Sequence, residues 1–229
     1  GLFGGTTFNY DLQLGLETSF TGKDLLTTVL RAGNFDGAAN VFGSGGPSGL
    51  AALETGFQEG ESPNLVAVDK LFYSFPLGDD ITITTGPIVG QENMLAIWPS
   101  VYPSDPILDV LTVNGASGAY NKNKGAGVGI SWAPKSGARA SANYVAANGA
   151  LSDTRAGGFA TDKAGGTGTL QLGWEGDNWG MAGLYSKVQN GHDLIGFATP
   201  FVKDHFSARG VTHAYALGGF WQPLQSGWV

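Results

Sequence analysis

Phe8-Asn-Tyr-Asp-Leu-Gln-Leu-Gly-Leu-Glu-Thr-Ser-Phe20 is the stretch whose reading decides the fold. Phe8, Tyr10, Leu12, Leu14, Leu16 and Phe20 share one parity, broken only by Thr18. Asn9, Asp11, Gln13, Gly15, Glu17 and Ser19 share the other. Successive strand side chains point to opposite faces, so this pattern predicts a strand over 6–20 with an apolar row and an acidic-polar row. The run exceeds the usual five or six residues of a soluble strand and the 9–11 that a tilted strand needs to cross a bilayer. The dyad returns in Val128, Ile130 and Trp132 against Gly127, Gly129 and Ser131, and in Leu170, Leu172 and Trp174 against Thr169, Gln171, Gly173 and Glu175. A two-layer sandwich alternates as well; length and tryptophan placement favour a membrane strand.

Working outward, strands are expected at 6–20, 23–35, 64–76, 81–91, 124–133, 137–147, 167–175, 179–189 and 211–221. The links between them alternate. Thr21-Gly22, Leu77 to Asp80, Pro134 to Ser136, Gly176 to Asn178 and Gln222 to Ser226 are short and hold turn-forming Gly, Asp, Asn and Pro. The links 36–63, 92–123, 148–166 and 190–210 are long. Ile107 to Val113 has strand-like residues, but a strand there breaks the alternation, so it is placed inside one loop. Tight turns at one end and long loops at the other are the pattern of a bacterial outer-membrane barrel, and a sandwich has no reason to keep that phase. Trp132, Trp174, Trp179, Trp221 and Trp228 all stand beside a short turn, as indoles at a membrane–water boundary do; packing at hairpin ends is the alternative.

Composition agrees. Of 229 residues 38 are glycine, charged residues make up 14%, and Phe, Trp and Tyr 11%. Soluble domains carry about a quarter charged residues, and no apolar run is long enough for a membrane helix. The chain has no cysteine, which excludes disulfides and thiolate chemistry. A net charge of −7 speaks against a nucleic-acid partner. Catalytic patterns are missing. His192, His205 and His213 show no ligand spacing, Asp193 and Asp204 beside the first two read as solvated loop residues, and no GxSxG elbow occurs. Gly22-Lys23 lacks a preceding P-loop glycine, and Gly43 to Gly49 reads as a flexible loop. The expectation is a non-enzyme with no cofactor and no metal. Gly125, Gly127 and Gly129 imply a smooth wall or close backbone contact.

Several segments resemble the cyanobacterial outer-membrane porins, often labelled iron-uptake porins and related to the carbohydrate-selective OprB-like porins. They are Thr18-Ser-Phe-Thr-Gly-Lys-Asp-Leu-Leu26, Asp69-Lys-Leu-Phe-Tyr73, Phe75-Pro-Leu-Gly-Asp79, Gly118-Ala-Tyr-Asn121, Ser141-Ala-Asn-Tyr-Val145 and above all Met94-Leu-Ala-Ile-Trp-Pro-Ser-Val-Tyr-Pro-Ser-Asp-Pro-Ile-Leu-Asp109. The resemblance implies a transmembrane antiparallel β-barrel of about sixteen strands, of which 1–229 forms one partial domain with the first nine or ten. It also implies a homotrimer in outer-membrane lipid, and cell-wall attachment through an N-terminal domain outside this sequence. The closing strands, and a signal segment, are likewise expected outside it.

The polar parity then makes a lumen wall of Asp11, Gln13, Glu17, Arg31, Arg139, Asn143, Gln171 and Glu175, although a solvated wall without selectivity fits equally. The loop 92–123, with Ile97, Trp98, Tyr102 and Leu108, suits packing; the resemblance implies that it folds inward as the constriction, an exposed surface loop being the alternative. Its Glu92, Asp105 and Asp109, with no basic residue before Lys122, predict a preference for cations. The expected function is passive diffusion of small hydrophilic solutes, inorganic cations including iron among them. A carbohydrate porin and an adhesin or receptor barrel remain alternatives, and an outer-membrane hydrolase lacks a Ser/His/Asp set.

Overall fold

The computed structural model describes residues 4–35, 40, 53–59, 62–189 and 210–223. Among them nine antiparallel strands form one sheet in which each strand pairs with its sequence neighbours. They are β1 (Asp11–Thr18), β2 (Leu25–Gly33), β3 (Ala67–Leu77), β4 (Ile81–Gly90), β5 (Lys124–Trp132), β6 (Ala138–Ala146), β7 (Gly166–Glu175), β8 (Trp179–Gln189) and β9 (Val211–Trp221). All nine fall where the alternation placed them. The sheet is not closed, β1 and β9 being its two edges. Links β1–β2, β3–β4, β5–β6 and β7–β8 are tight and lie at one end; the long links lie at the other. Gly78 and Gly137, with φ of 77° and 99°, supply the left-handed residue that two of the tight turns need. Most of 190–210 and of 36–52, with Trp228, His192, His205, Asp193 and Asp204, lies outside the described residues.

Strand β1 is shorter than expected because side chains intercept its backbone at both ends. The Tyr10 amide donates to Asn34 Oδ1 (2.8 Å), and the Asp24 carboxylate accepts the amides of Phe20 (3.1 Å) and Thr21 (2.7 Å). The Thr21 hydroxyl above all, then those of Tyr73 and Ser19 and the Thr21 amide, hold the Asp24 carboxyl well below the usual carboxylate range. Ile107 to Val113 forms no strand: Leu108 makes a single bridge to Leu53, and Asp109–Leu111 is a 3-10 turn.

The register aligns one side-chain row on each face. Leu14↔Leu30, Phe75↔Ile83, Ile83↔Ile130, Ala142↔Leu170 and Gly183↔Leu217 carry an apolar surface across the whole sheet. That surface is exposed: Leu172 by 71%, Leu217 by 80% and Trp221 by 70%. Trp132, Trp174 and Trp179 are exposed on it too, at its tight-turn end. Over β7 and β8 the opposite face is polar and covered, with Gln171 at 1%, Thr169 at 2% and Ser186 at 0%, while Gln13 and Glu17 on β1 stay exposed. Burial is thus inverted relative to an ordinary water-soluble sheet.

What covers the polar face is the β4–β5 loop. A register shift between Gly86 and Val89 turns Val89 to this face, where it packs with Met94 and Val145. The glycine row of β5 makes room: a Cβ on Gly129 would stand 2.8 Å from Met94 Cβ, and one on Gly127 2.6 Å from Val89 Cγ1. Close contact, not a smooth wall, accounts for these two glycines. Gly129→Val should therefore cost about 1–3 kcal/mol by overpacking. Gly15→Val, on the same face where a Cβ meets nothing within 4 Å, should be neutral. Urea unfolding midpoints of the two variants check this, and equal midpoints would reject the packing account.

Candidate functional site

The loop between β4 and β5 leaves the sheet through a 3-10 turn, Gln91–Met94, and is tied to the polar face by three amide side chains. Gln91 Nε2 donates to the Ala119 carbonyl (2.8 Å), Thr169 Oγ1 (2.7 Å) and Ser186 Oγ (3.1 Å). Gln171 accepts from the Ile97 amide (3.2 Å) and donates to the Ile97 carbonyl (2.8 Å). Asn123 Nδ2 reaches the carbonyls of Val145 (3.2 Å) and Gly165 (2.8 Å). Buried amides must find partners, so each of these sets fixes a stretch of loop against a particular strand. Between them Tyr120 is buried against Leu184 and meets Trp98 edge-on at 5.1 Å. The loop packs and does not float, as its apolar content suggested.

Two of the expected wall residues acquire another role. Gln171 and Asn143, whose Nδ2 donates to the Gln91 carbonyl at 3.3 Å, lie on the foreseen face but beneath the loop, as its anchors. An open wall is not what surrounds them. Arg139 and Glu175 pair near the tight-turn end (Nη2–Oε2 2.8 Å), with Arg139 also donating to the Pro134 carbonyl. Glu17 is exposed on β1. Asp11 and Arg31 form a two-pronged pair (2.9 and 2.5 Å), and Arg31 also donates to the Glu54 carbonyl and lies over the Phe57 ring.

Beside Arg31 and Gln13 a cleft of about 280 Å³ opens between the loop and β1–β5. It collects the carboxylates of Glu54, Asp69, Glu92, Asp105 and Asp109 together with Arg31, Lys70, Lys122 and Lys124. The three constriction residues read from the sequence are thereby brought into one place. Their charge is not unopposed. Lys70 Nζ lies 3.2 Å from Glu92, Lys122 Nζ 2.9 Å from Asp105 and 3.0 Å from Glu54, and Lys124 Nζ 2.5 Å from Asp69. Lys70 from β3 and Lys122 at the loop's own exit stand against the loop's carboxylates, while Lys124 pairs with Asp69 on β3.

The protonation of the cluster follows. Burial raises the Asp105 carboxyl, but Lys122 and Lys70 outweigh that and hold it below its ordinary value. Burial would likewise lower Lys122, yet Glu54 and Asp105 keep it above its ordinary value. Asp109 is the exception: burial, then its hydrogen bond and repulsion with Glu54, push it up to about 6. The two carboxyls are held together by the Leu53–Leu108 bridge and by the Glu54 amide donating to the Ile107 carbonyl (3.0 Å). Among the described residues no group of three or more His, Cys, Asp or Glu is placed to hold a metal ion.

No family model matches the chain. It is 31% identical over 145 residues to an uncharacterized protein of Synechocystis sp., a match that covers 62% of this chain and 25% of that protein. It is 48% identical over 77 residues to an uncharacterized protein of Nostoc sp., covering 32% of this chain and 13% of the relative. The matched stretches thus span a quarter or less of either relative's length.

Asp109 carries a pH dependence of definite sign. Its folded-state value lies above the ordinary 3.8, so the proton it holds stabilises the loop junction below that pH, and this contribution is lost as pH rises through about 6. With the intrinsic base-catalysed rise in exchange divided out, protection of the Glu54 amide should fall between about pH 4 and about 7. Asp109→Asn should flatten the dependence, and an unchanged slope in that variant would assign it to another group.

Proposed function

We propose that this chain supplies consecutive strands and the inward loop of an outer-membrane β-barrel of the cyanobacterial porin type, a channel for passive diffusion of small hydrophilic solutes. The observation that carries this reading is the inverted burial of the sheet. Roughly 1.5–3 kcal/mol separates a large apolar side chain in water from a buried one. A sheet-wide row of half-exposed Leu, Ile and Trp therefore forfeits an amount comparable to a domain's entire stability of about 5–15 kcal/mol. Lipid against that face removes the penalty, and a contiguous apolar surface of this extent is otherwise an interface. Eight of the strands are 9 to 11 residues long, the length a tilted strand needs to cross. The exposed tryptophans at the tight-turn end suit one membrane–water boundary. Both matched relatives come from cyanobacteria, the group whose porins the sequence motifs resemble.

In this reading the two sheet edges pair with further strands, because lipid leaves no solvent for open backbone groups. The polar face lines the lumen, the 92–123 loop narrows it, and the charged cleft is where solute passes. Lipid is the partner of the apolar face, and a homotrimer is the assembly the resemblance implies. Five carboxylates against four cations leave the cleft nearly neutral, more so below pH 6 where Asp109 keeps its proton. A nearly balanced cleft passes ions of both signs and uncharged polar solutes, with a cation preference much weaker than the loop's own acids suggest.

Reconstituted into planar bilayers, the protein should give ohmic single-channel steps with a small reversal potential in a salt gradient. Lys70→Gln or Lys122→Gln should move it toward cations, and Asp105→Asn toward anions. Silence from folded, inserted protein would favour the adhesin or receptor reading instead. Cysteines at Leu172 and Leu14 should react with lipid-phase probes and one at Gln13 with polar reagents. Reversed labelling would reject the assignment of faces, since a one-residue slip exchanges them.

A further inference from the structure

The apolar face is not uniform. Two neighbouring register rows cross it near the long-loop end: Ile130, Ala142, Leu170 and Tyr185 in one, Val128, Tyr144, Gly168 and Lys187 in the next. Ala142 and Gly168 are small where their neighbours are large, and an apolar groove of about 580 Å³ runs between the taller side chains. Its floor is empty enough that a Cβ on Gly168 would meet only Tyr144 Cδ2, at 3.9 Å. The wall at its head includes Lys187.

Lys187 is out of keeping with this surface. Along the outward-facing positions of β6 to β9 it is the one Asp, Glu, Lys or Arg among the described residues, and none of the described residues forms an ion pair with it. Opposite it in the register stands His213, whose Nδ1 is 2.7 Å from Tyr185 Oη. Lys187 is eight positions beyond Trp179, about 26 Å along the strand. A tilt near 45° turns that into roughly 19 Å of depth, and the lysine stem carries the ammonium on toward the far rim of an apolar band about 25 Å tall.

We infer that this groove is a lipid site: one acyl chain lies over Ala142 and Gly168, and a net anionic phosphate headgroup sits against Lys187 with His213 beside it. The inference rests on the membrane reading of the apolar face. An ammonium with no ion-pair partner among the described residues, at the end of an apolar groove, matches an amphiphile with an apolar chain and an anionic head, and that charge complementarity selects the occupant over an uncharged apolar surface of another protein. The small residues set where the chain lies, and the lysine sets which headgroup is retained.

Native mass spectrometry of the protein released from mixed vesicles tests both halves, with phosphatidylglycerol and phosphatidylcholine of identical chains as probes. The wild type should retain phosphatidylglycerol in preference. Lys187→Gln should lower that preference about fivefold, the weight of one basic residue near a membrane surface, while still retaining phosphatidylcholine. Gly168→Leu, whose Cβ meets no backbone and whose branch projects into the groove, should reduce retention of both lipids. A wild-type protein without preference, a preference that survives Lys187→Gln, or unchanged retention in Gly168→Leu overturns the inference. So does a Gly168→Leu protein whose change is in subunit number and not in bound lipid, which makes the groove a contact between copies. Protein that fails to insert into vesicles overturns the membrane reading and this inference together, whereas insertion without lipid preference overturns this inference alone.

Discussion

The unbroken antiparallel ladder from β1 to β9 determines which side-chain row lies on which face, and every other feature is hung on that division. Because the strand period is two, one residue of slip would exchange Leu170 with Gln171 and Tyr185 with Ser186. The ladder does shift at Val29/Leu30 and Leu71/Tyr73, near the middle of β2 and β3, and at Gly86/Val89, toward the long-loop end of β4. The shift at Val89 is constructive. It turns an apolar residue to the polar face at the point where the loop departs, giving Met94 something to pack on.

The loop is held by polar anchors more than by apolar contact. Gln91, Gln171 and Asn123 are buried amides whose partners lie far off in sequence, up to Ser186 for Gln91. A buried amide left without its partners costs roughly 1–3 kcal/mol, so displacing the loop would be penalised at several points at once. Trp98, Tyr120 and Leu184 fill the space between the anchors. The loop is thereby a rigid part of the polar face, and the cleft beside it has fixed walls.

Those walls explain the electrostatics of the cleft. Lys70 on β3 and Lys122 just before β5 point at carboxylates from two loops, and Lys124 at the start of β5 pairs with Asp69 on β3, so attraction within the cleft is shared among several partners. Partial burial strengthens each pair relative to open water and also makes any unpaired charge costly. Asp109 is where that balance fails to close, and it answers by keeping its proton to higher pH.

The sequence by itself determined the nine strands, their faces and the alternation of tight turns with long loops, because period-two patterning and Gly/Asp/Pro turn chemistry are local properties. It placed Ile107 to Val113 within a loop, and it singled out Glu92, Asp105 and Asp109, which the fold brings to one cleft. Only the tertiary structure decided that Gln171 and Asn143 hold the loop and do not line open space, that Lys70 and Lys122 neutralise Glu92 and Asp105, and that Glu54 raises Asp109. Those relations join residues separated by seventeen to seventy-four positions. No local pattern encodes such a meeting, because it depends on how far a loop reaches across a sheet and on which side chains are already there when it arrives.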